Sequence, residues 1–435
     1  MVIIDQQAKE LNEIIQSANP YTFSCLSDKG KAIFFPKKGI LSQSAEAKGK
    51  KINATIGTAL EDDGSPMALK SVYSLLNINS KEPFSYAPSP GQPSIRSTWK
   101  EMLLQKNPSL ADKQFSLPIV SCALTHGLSM GGYLFINEGD TIISPDLYWE
   151  NYDLIFSHTY GGRIDTFPMF NSNNGFNIPG LREKLEKSPS GKKIVILNFP
   201  NNPTGYTVTE EEAHQIKDLL VEMAQKGNNL VVFIDDAYFG LVFKEGVYKE
   251  SIFSLLCNAH ERILAVKFDG PTKEDYVWGF RVGFITFGTA MNSPALYSAL
   301  EGKIGGAIRG SISNAANISQ MMLLGSYKDN SYKNEKVQKF TILKRRYEKI
   351  NQILEKHTEY AEFFTALPYN SGYFMCVRIL SGNAEKVRTI LLNKYNTGVI
   401  AHKNVIRIAF SSVPLDSIEL MFDNIFNAAR DERAS

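Results

Sequence analysis

The sequence predicts an α/β fold built on a mostly parallel sheet. Between about residue 115 and residue 290, short apolar runs alternate with loops and helical patterns. The runs are continuously apolar, which is typical of strands covered by helices on both faces. They span 118–123, 141–143, 193–197, 230–234, 263–268 and 282–287. Because strands and helices alternate along the chain, a parallel sheet is favoured over an antiparallel one.

Helix signals support this interpretation. Thr209 and Glu212 have the spacing of a capping box, and Gly227 ends the helical pattern that follows them. Beyond the sheet region, the pattern predicts one long polar helix and two strands, at 317–356, 373–380 and 404–410.

The chain length predicts two domains, because 435 residues exceed the usual size of one. The larger domain is predicted to hold the sheet and to cover 67–325. Neither end of the chain follows the sheet pattern. A smaller α+β domain is therefore predicted from both ends, 1–66 and 326–435.

The composition predicts a cytoplasmic protein with no strong electrostatic partner. Hydrophobic residues make up 43% of the chain, charged residues 21%, and the formal charge is +2. We find no basic cluster typical of a nucleic-acid interface, no apolar run long enough to span a bilayer, and no apolar core of a signal peptide. The cysteines have neither metal-ligand nor disulfide spacing and are interpreted as buried thiols: Cys25, Cys122, Cys257 and Cys376.

Chemically distinct side chains follow several predicted strands. Asn202 lies in a turn, Asp235 and Tyr238 end the next strand, and Lys273 and Arg281 come after the strand beyond it. Together they supply an amide, an acid, a phenol, an amine and a guanidinium. These groups suit a ligand with a pyridine ring, a phenolate and a phosphate, namely pyridoxal phosphate (PLP).

The order and spacing of these segments resemble the class I/II aminotransferases of PLP fold type I, the aspartate aminotransferase-like enzymes. The resemblance runs from about Gly57 to Arg407 and implies a seven-stranded, mostly parallel sheet between helices. It assigns the Schiff-base lysine to Lys273, which precedes Arg281 by eight residues as in the family. Lys267 competes by position alone, and the spacing selects Lys273. Burial beside Arg281 would lower the pKa of this amine and make it nucleophilic.

The resemblance also assigns cofactor contacts at the strand ends. Arg281 would bind the phosphate through its guanidinium. Asp235 would keep the pyridine nitrogen protonated so that the ring accepts electrons; the Asp-x-Ala-Tyr spacing selects it over Asp236. Asn202 and Tyr238 would donate hydrogen bonds to the phenolate oxygen.

Backbone donors for the phosphate are predicted after the first strand. His126, Gly127 and Leu128 lie between that strand and a helical pattern at 131–136. A glycine turn that leads into a helix N-terminus favours an anion.

Two more cofactor contacts follow from the resemblance. Trp149 would stack on the pyridine face, with Tyr148 as the alternative and core packing as the competing interpretation. The family usually has serine three residues before the lysine, where this chain has Gly270. Thr272 would supply the missing hydroxyl, or the backbone would approach the phosphate more closely.

Substrate contacts are implied in the same way. Arg407 is the one charge in an apolar strand and would bind the substrate α-carboxylate; a solvent-facing charge is the alternative. Gly57 resembles the segment that closes over the substrate. Arg309 resembles the arginine that binds a distal carboxylate, with a dimer contact as an equal alternative. Tyr86 implies a homodimer with shared sites, because the family's tyrosine reaches the partner's phosphate.

These residues predict an aminotransferase that moves the amino group of an L-amino acid to a 2-oxo acid by a ping-pong mechanism, with the aspartate and aromatic types as candidate subtypes. Lys273 would carry the cofactor and transfer the proton. Another fold type I PLP enzyme, such as a C–S lyase or an amino-acid decarboxylase, is the alternative. A non-catalytic regulator domain and a nicotinamide dehydrogenase are disfavoured; for the latter, no G-x-G-x-x-G fingerprint is present.

Overall fold

The structure is a computed structural model that describes residues 4–18, 40–55, 57–76, 85–188, 191–380 and 382–434. Its strands are β1 (Ile52–Asn53), β2 (Ile119–Ser121), β3 (Thr141–Pro145), β4 (Arg163–Phe167), β5 (Lys192–Asn198), β6 (Asn229–Asp235), β7 (Ile263–Asp269), β8 (Gly283–Gly288), β9 (Phe364–Ala366), β10 (Met375–Ile379), β11 (Thr397–Gly398), β12 (Ile400–His402) and β13 (Val405–Ile408).

Its helices are α1 (Gln6–Ala18), α2 (Ile40–Glu46), α3 (Lys70–Tyr73), α4 (Pro93–Lys106), α5 (Ala123–Phe135), α6 (Ile178–Lys187), α7 (Glu210–Gln225), α8 (Ile252–Leu256), α9 (Pro271–Glu274), α10 (Pro294–Ser311), α11 (Asn317–Tyr327), α12 (Tyr332–Lys356), α13 (Ala384–Lys394) and α14 (Ile418–Ala434). A π-helical turn covers Asp153–His158. Among the described helices, none combines the length and the apolarity needed to cross a bilayer.

Within the described residues, seven strands form one sheet in the order β2-β8-β7-β6-β5-β3-β4. Strand β8 is antiparallel to both of its neighbours, and the remaining adjacent strands are parallel. The predicted α/β fold with a mostly parallel, seven-stranded sheet is therefore confirmed.

Apolar residues on both faces of the central strands explain why their sequences are continuously apolar. Along β5, Ile194 and Ile196 pack into the core on one face of the sheet, and Val195 and Leu197 pack into the core on the other. Successive side chains of a strand point to opposite faces, so burial of both faces needs apolar residues at every position.

Local predictions are confirmed in part. Of the cysteines predicted to be buried, Cys257 and Cys376 are buried, Cys122 is half-buried, and Cys25 lies outside the described residues. The capping box forms: Glu212 N donates to Thr209 Oγ1 at 3.2 Å, and Thr209 N donates to Glu212 Oε2 at 2.9 Å. Strand β4 escaped prediction because, as an edge strand, it is only partly buried and its sequence includes Arg163 and Asp165.

The single long helix predicted at 317–356 is wrong, because two helices, α11 and α12, cover this range. The chain turns between them, where Asp329 Oδ1 accepts hydrogen bonds from the backbone N–H and the hydroxyl of Ser331, both at 2.8 Å. Such local side-chain bonds to the backbone compete with helix formation.

The remaining strands lie apart from the central sheet. Strands β12-β13-β10-β9 form an antiparallel sheet, and β1 pairs with β11 in parallel, with Ile52 opposite Thr397. The pairing joins an N-terminal segment to a C-terminal one, as a smaller domain made from both ends requires. The domain limits at residues 66 and 325 stay a prediction.

The turn after β5 requires glycine at position 205. Gly205 has a φ of +70°, and a Cβ placed there would lie 1.9 Å from the carbonyl oxygen of Phe374. A left-handed alanine alone costs about 1–2 kcal/mol of folding free energy. We expect Gly205→Ala to cost more than this and to lower Tm accordingly, because the backbone atoms next to the new Cβ cannot move aside. Gly246→Ala is the control, since Gly246 has a φ of +75° and open space around it. Equal Tm values for the two variants would contradict the expectation.

Candidate active site

A cavity of about 400 Å³ opens at the carboxyl ends of the parallel strands. In α/β sheets, ligands collect at this edge. The cavity is lined by Ser44, Thr55, Gly57, Ala123, Leu124, Thr125, Trp149, Asn198, Asn202, Asp235, Ala237, Tyr238, Thr272, Lys273, Trp278, Arg281, Phe374 and Arg407. It therefore collects residues from the central sheet, the N-terminal segment and the antiparallel sheet.

Lys273 brings an amine into this cavity from the one-turn helix α9, which follows β7. Its Nζ lies 5.0 Å from the centre of the Tyr238 ring. Burial lowers the pKa of Lys273 to about 8; Arg281 acts in the same direction, and Asp235 opposes it. An amine with this pKa is partly neutral near physiological pH and is therefore nucleophilic.

The competing lysine has a different role. Lys267 is fully buried in β7, outside the residues that line the cavity, and forms ion pairs with Asp236 and Asp269. The geometry thus distinguishes the two lysines as the family spacing does. It also separates the adjacent acids, because Asp236 bonds to Lys267 and Ser251, whereas Asp235 lines the cavity.

Asp235 is held by two hydrogen bonds. Tyr152 donates its hydroxyl to Oδ2 at 2.5 Å, and the backbone N–H of Ala237 donates to Oδ1 at 3.1 Å. Burial raises the pKa of Asp235, and the Tyr152 hydrogen bond and the charge of Lys273 oppose that rise. A carboxylate held in this way can accept a hydrogen bond from a protonated pyridine nitrogen.

Arg407 extends from β13 into the cavity and is buried. Its Nη1 donates to Asn202 Oδ1 at 3.3 Å, its Nη2 donates to the carbonyl of Thr55 at 3.2 Å, and its guanidinium lies over the Phe374 ring at 4.5 Å. Asn198 supports this arrangement, since its Oδ1 accepts the backbone N–H of Asn202 at 2.8 Å. The solvent-facing alternative for Arg407 is wrong.

The predicted phosphate turn is shifted in the structure. Helix α5 begins at Ala123, which has a φ of +62°, and not after a glycine turn. Of the predicted backbone donors, His126, Gly127 and Leu128, none lines the cavity. They lie inside α5, and the His126 ring bonds to the Cys122 N–H and contacts the Ser311 hydroxyl.

The first residues of α5 take the place that was predicted for this turn. Ala123, Leu124 and Thr125 line the cavity at the helix N-terminus, where backbone N–H groups and the helix dipole favour an anion. The apolar run was interpreted as strand up to residue 123, but β2 ends at Ser121. The error arose because an alanine makes the turn.

The departure from the family pattern at Gly270 has a steric explanation. A Cβ at this position would lie 2.9 Å from Gly283 Cα and from the carbonyl oxygen of Val282. Strand β7 thus ends too close to the start of β8 for a serine. A hydroxyl for a phosphate must come from another residue.

The lining residues fit PLP. Among the described residues, buried side-chain atoms that lack a hydrogen-bond partner include Thr272 Oγ1, Trp278 Nε1 and Arg407 Nε, and all three residues line the cavity. Arg281, with a φ of +53°, has an exposed side chain whose Nη1 makes a long 3.4 Å hydrogen bond to the Trp278 carbonyl. The hydrogen-bond donors of Thr272, Trp278 and Arg281 are suited to a phosphate. The Lys273 amine is suited to an aldehyde, and the Asp235 carboxylate to a pyridine nitrogen.

The remaining predicted residues divide into two groups. Trp149 and Gly57 line the cavity, whereas Tyr148 bonds to Asp153 instead. Tyr86 is 88% exposed, and Arg309 is exposed and bonds to Ser313 Oγ at 2.7 Å. Neither of these last two residues lines the cavity of its own chain.

Several residues in or beside the cavity were not predicted. Ser44 and Thr55 lie in the N-terminal part of the chain, where only Gly57 had been predicted to contact the substrate. Tyr152, the partner of Asp235, follows Trp149 by three residues in an aromatic-rich stretch that suggested core packing. Trp278 had a usable signal, because it lies between Lys273 and Arg281 in the sequence.

The titration of Lys273 gives a test of this geometry. In protein freed of any bound aldehyde, we expect the reaction of Lys273 with an amine reagent to increase as the pH rises through about 8, because only the neutral amine reacts. Asp235→Asn removes the charge that raises this pKa, so the midpoint falls further. Peptide mapping quantifies Lys273 against exposed lysines such as Lys333. A midpoint near the ordinary lysine value, or an upward shift in Asp235→Asn, would contradict the expectation.

Curated relatives match part of the chain. A probable aspartate/prephenate aminotransferase of Aquifex aeolicus is 27% identical over 202 residues, which are 46% of this chain and 48% of that protein. An LL-diaminopimelate aminotransferase of Methanococcus maripaludis is 29% identical over 154 residues, which are 35% of this chain and 33% of that protein. The chain thus spans half or less of the length of these relatives.

Solved structures match nearly the whole chain. An aminotransferase from Anaerococcus prevotii has a TM-score of 0.81 at 24% identity, covering 93% of this chain and 98% of that one. A kynurenine aminotransferase from Pyrococcus horikoshii has a TM-score of 0.76 at 16% identity, covering 94% of this chain and 98% of that one. At these identities the likeness shows the fold.

A family model described as aminotransferase class I and II matches residues 50–425. The match covers most of the chain, including the central sheet and the antiparallel sheet that carries Arg407. The chain therefore belongs to the class I and II aminotransferase family, and this membership implies PLP as its cofactor.

Proposed function

We propose that the protein is an aminotransferase that moves the amino group of an L-amino acid to a 2-oxo acid by a ping-pong mechanism. The observation that carries the proposal is the Lys273 amine, which has a lowered pKa and shares one cavity with Asp235 and Arg407. The names of the curated relatives, aspartate and LL-diaminopimelate aminotransferases among them, support the same class of reaction.

The residues of the cavity have separate tasks in this proposal. Arg281, Thr272 and the N-terminus of α5 would hold the cofactor phosphate, and Trp149 would pack against its ring. Bound PLP supplies an electron sink next to the substrate Cα. Asp235 favours the protonated pyridine nitrogen that this chemistry requires.

Substrate binding and proton transfer fall to Arg407 and Lys273. Arg407 binds the α-carboxylate through its guanidinium and orients the Cα–H bond. Lys273 would hold the cofactor through its amine, and the same amine would act as the general base and acid that moves the substrate Cα proton.

We also propose a homodimer with shared sites. Tyr86 and Arg309 are both exposed and neither lines the cavity of its own chain. In a dimer of the family type, Tyr86 contacts the phosphate in the other subunit. Arg309 would then either bind a distal carboxylate of the substrate or contact the other subunit. Only the first role predicts a preference for substrates with two carboxylates.

The activity is tested by adding amino acids one at a time to the PLP-loaded protein and recording its visible absorbance. We expect the correct donors to bleach the band and to form a 2-oxo acid, and a 2-oxo acid acceptor to restore the band. Pyruvate with a released thiol would indicate a C–S lyase, and carbon dioxide a decarboxylase. Either outcome, or no response to any amino acid, would refute the aminotransferase proposal. A response to aspartate and glutamate that disappears in Arg309→Ala would assign Arg309 to the distal carboxylate.

The carboxylate role of Arg407 has its own test. We expect Arg407→Gln to lower kcat/KM roughly 10- to 100-fold, mainly through KM, because a hydrogen bond to a charged group contributes about 1.5–3 kcal/mol. Arg378→Gln is the control, since Arg378 lies exposed on the adjacent strand β10. Steady-state kinetics distinguish the two, and an unchanged KM in Arg407→Gln would remove Arg407 from substrate binding.

A further inference from the structure

The two residues after Lys273 form an unusual acidic pair, Glu274 and Asp275, which is buried and does not line the cavity. Two helices supply the cations that neutralise the pair. Lys106 Nζ, at the end of α4, contacts Glu274 Oε1 at 2.8 Å. Lys336 Nζ, in α12, contacts Glu274 Oε2 at 3.0 Å and Asp275 Oδ1 at 2.8 Å.

Tyrosine hydroxyls complete the shell around Asp275. Tyr332 donates to Oδ1 at 2.7 Å and Tyr327 donates to Oδ2 at 3.0 Å. All four carboxylate oxygens of the acidic pair therefore have a cation or a hydroxyl as partner. Buried carboxylates remain ionised only with such pairing, and Lys106 and Lys336 hold the pKa of Glu274 well below its ordinary value against the opposing effect of burial.

The helix that carries Lys273 needs this external support. Helix α9 has only four residues, and one bond from Asp275 N to the carbonyl of Pro271, 2.8 Å long, closes its single turn. So short a helix has little stability of its own. Directly after it, the chain leaves the helical conformation at Tyr276, whose φ is +58°. The orientation of the turn is therefore set by what its side chains and carbonyls contact.

Among the residues that the structure describes, Lys336 is the one cation that contacts both members of the acidic pair. From the other side, the Tyr373 hydroxyl donates to the carbonyl of Lys273 at 2.8 Å. We propose that Lys336 is a positioning residue for Lys273, acting through Glu274 and Asp275. It fixes the direction of α9 against α12 and thereby the place of the Lys273 amine in the cavity. The inference rests on the proposed function, since a displaced Lys273 amine is detected through slower proton transfer in the aminotransferase reaction.

The test compares Lys336→Met with Lys336→Arg and with Lys333→Met, all as PLP-loaded protein. Lys333 is an exposed lysine on the same helix and serves as the control. We expect Lys336→Met to lower kcat roughly 10- to 100-fold, because small displacements of a reacting group have effects of this size. KM should stay unchanged, since Arg407 is untouched. Lys336→Arg should restore most of kcat, and Lys333→Met should match the wild type.

Two further measurements exclude a merely structural effect. With an amino acid deuterated at Cα, the isotope effect on kcat should rise in Lys336→Met, because proton transfer by a displaced amine becomes more rate-limiting. The visible circular dichroism of bound PLP should also change, since it reports the orientation of the ring attached to Lys273. This second measurement does not depend on turnover.

The possible outcomes separate the two proposals. A wild-type protein without amino transfer would refute the proposed function, and the circular dichroism of Lys336→Met would still test the positioning role. If Lys336→Met has a lower Tm but wild-type kcat and circular dichroism, Lys336 is only structural and the inference is wrong. Should Lys336→Met fail to fold, Glu274→Gln, which keeps the shape and removes the charge, answers the same question.

Discussion

The structure depends on keeping charged groups buried at one edge of a sheet. Lys273 and Asp235 lie where parallel strands end, and Arg407 reaches the same cavity from β13. Each charge would be costly there without a partner. Asp235 accepts two hydrogen bonds, and Arg407 is held by two oxygens and the Phe374 ring. Lys273 meets the same constraint differently, because its pKa falls and the amine becomes reactive. Burial thus makes these charges costly, and it also lowers the pKa of Lys273 so that its amine can react.

The sequence predicted the groups at strand ends well, for a physical reason. Central strands are buried on both faces, so their runs are mostly apolar, with Lys267 in β7 as an exception, and the polar residues of the site appear near the point where a strand stops. Asn202, Asp235 and Lys273 all follow such a stop, and the structure places them in one cavity. Arg407 was detected for the opposite reason, since it interrupts an apolar strand.

The errors have a common cause, which is that side-chain type does not reveal backbone conformation. At the end of β2 the chain turns on Ala123, with a φ of +62°, although Gly127 a few residues later looked like the turn. Strand β4 is exposed at the sheet edge and lacks the apolar signal of its neighbours. The break between α11 and α12 depends on one hydrogen-bonded turn at Asp329. Each of these features depends on geometry that several residue types can adopt.

The ion-pair partners of the Glu274–Asp275 pair cannot be predicted from the local sequence. Its position beside Lys273 is visible in the sequence, but its partners are not, because Lys106 and Lys336 lie 168 and 62 residues away from Glu274. Two adjacent buried acids would repel each other and destabilise the turn without those cations. In the fold, the acidic pair is instead the point where α4 and α12 contact the turn that carries Lys273. This contact is the basis of our proposal that Lys336 positions the Lys273 amine.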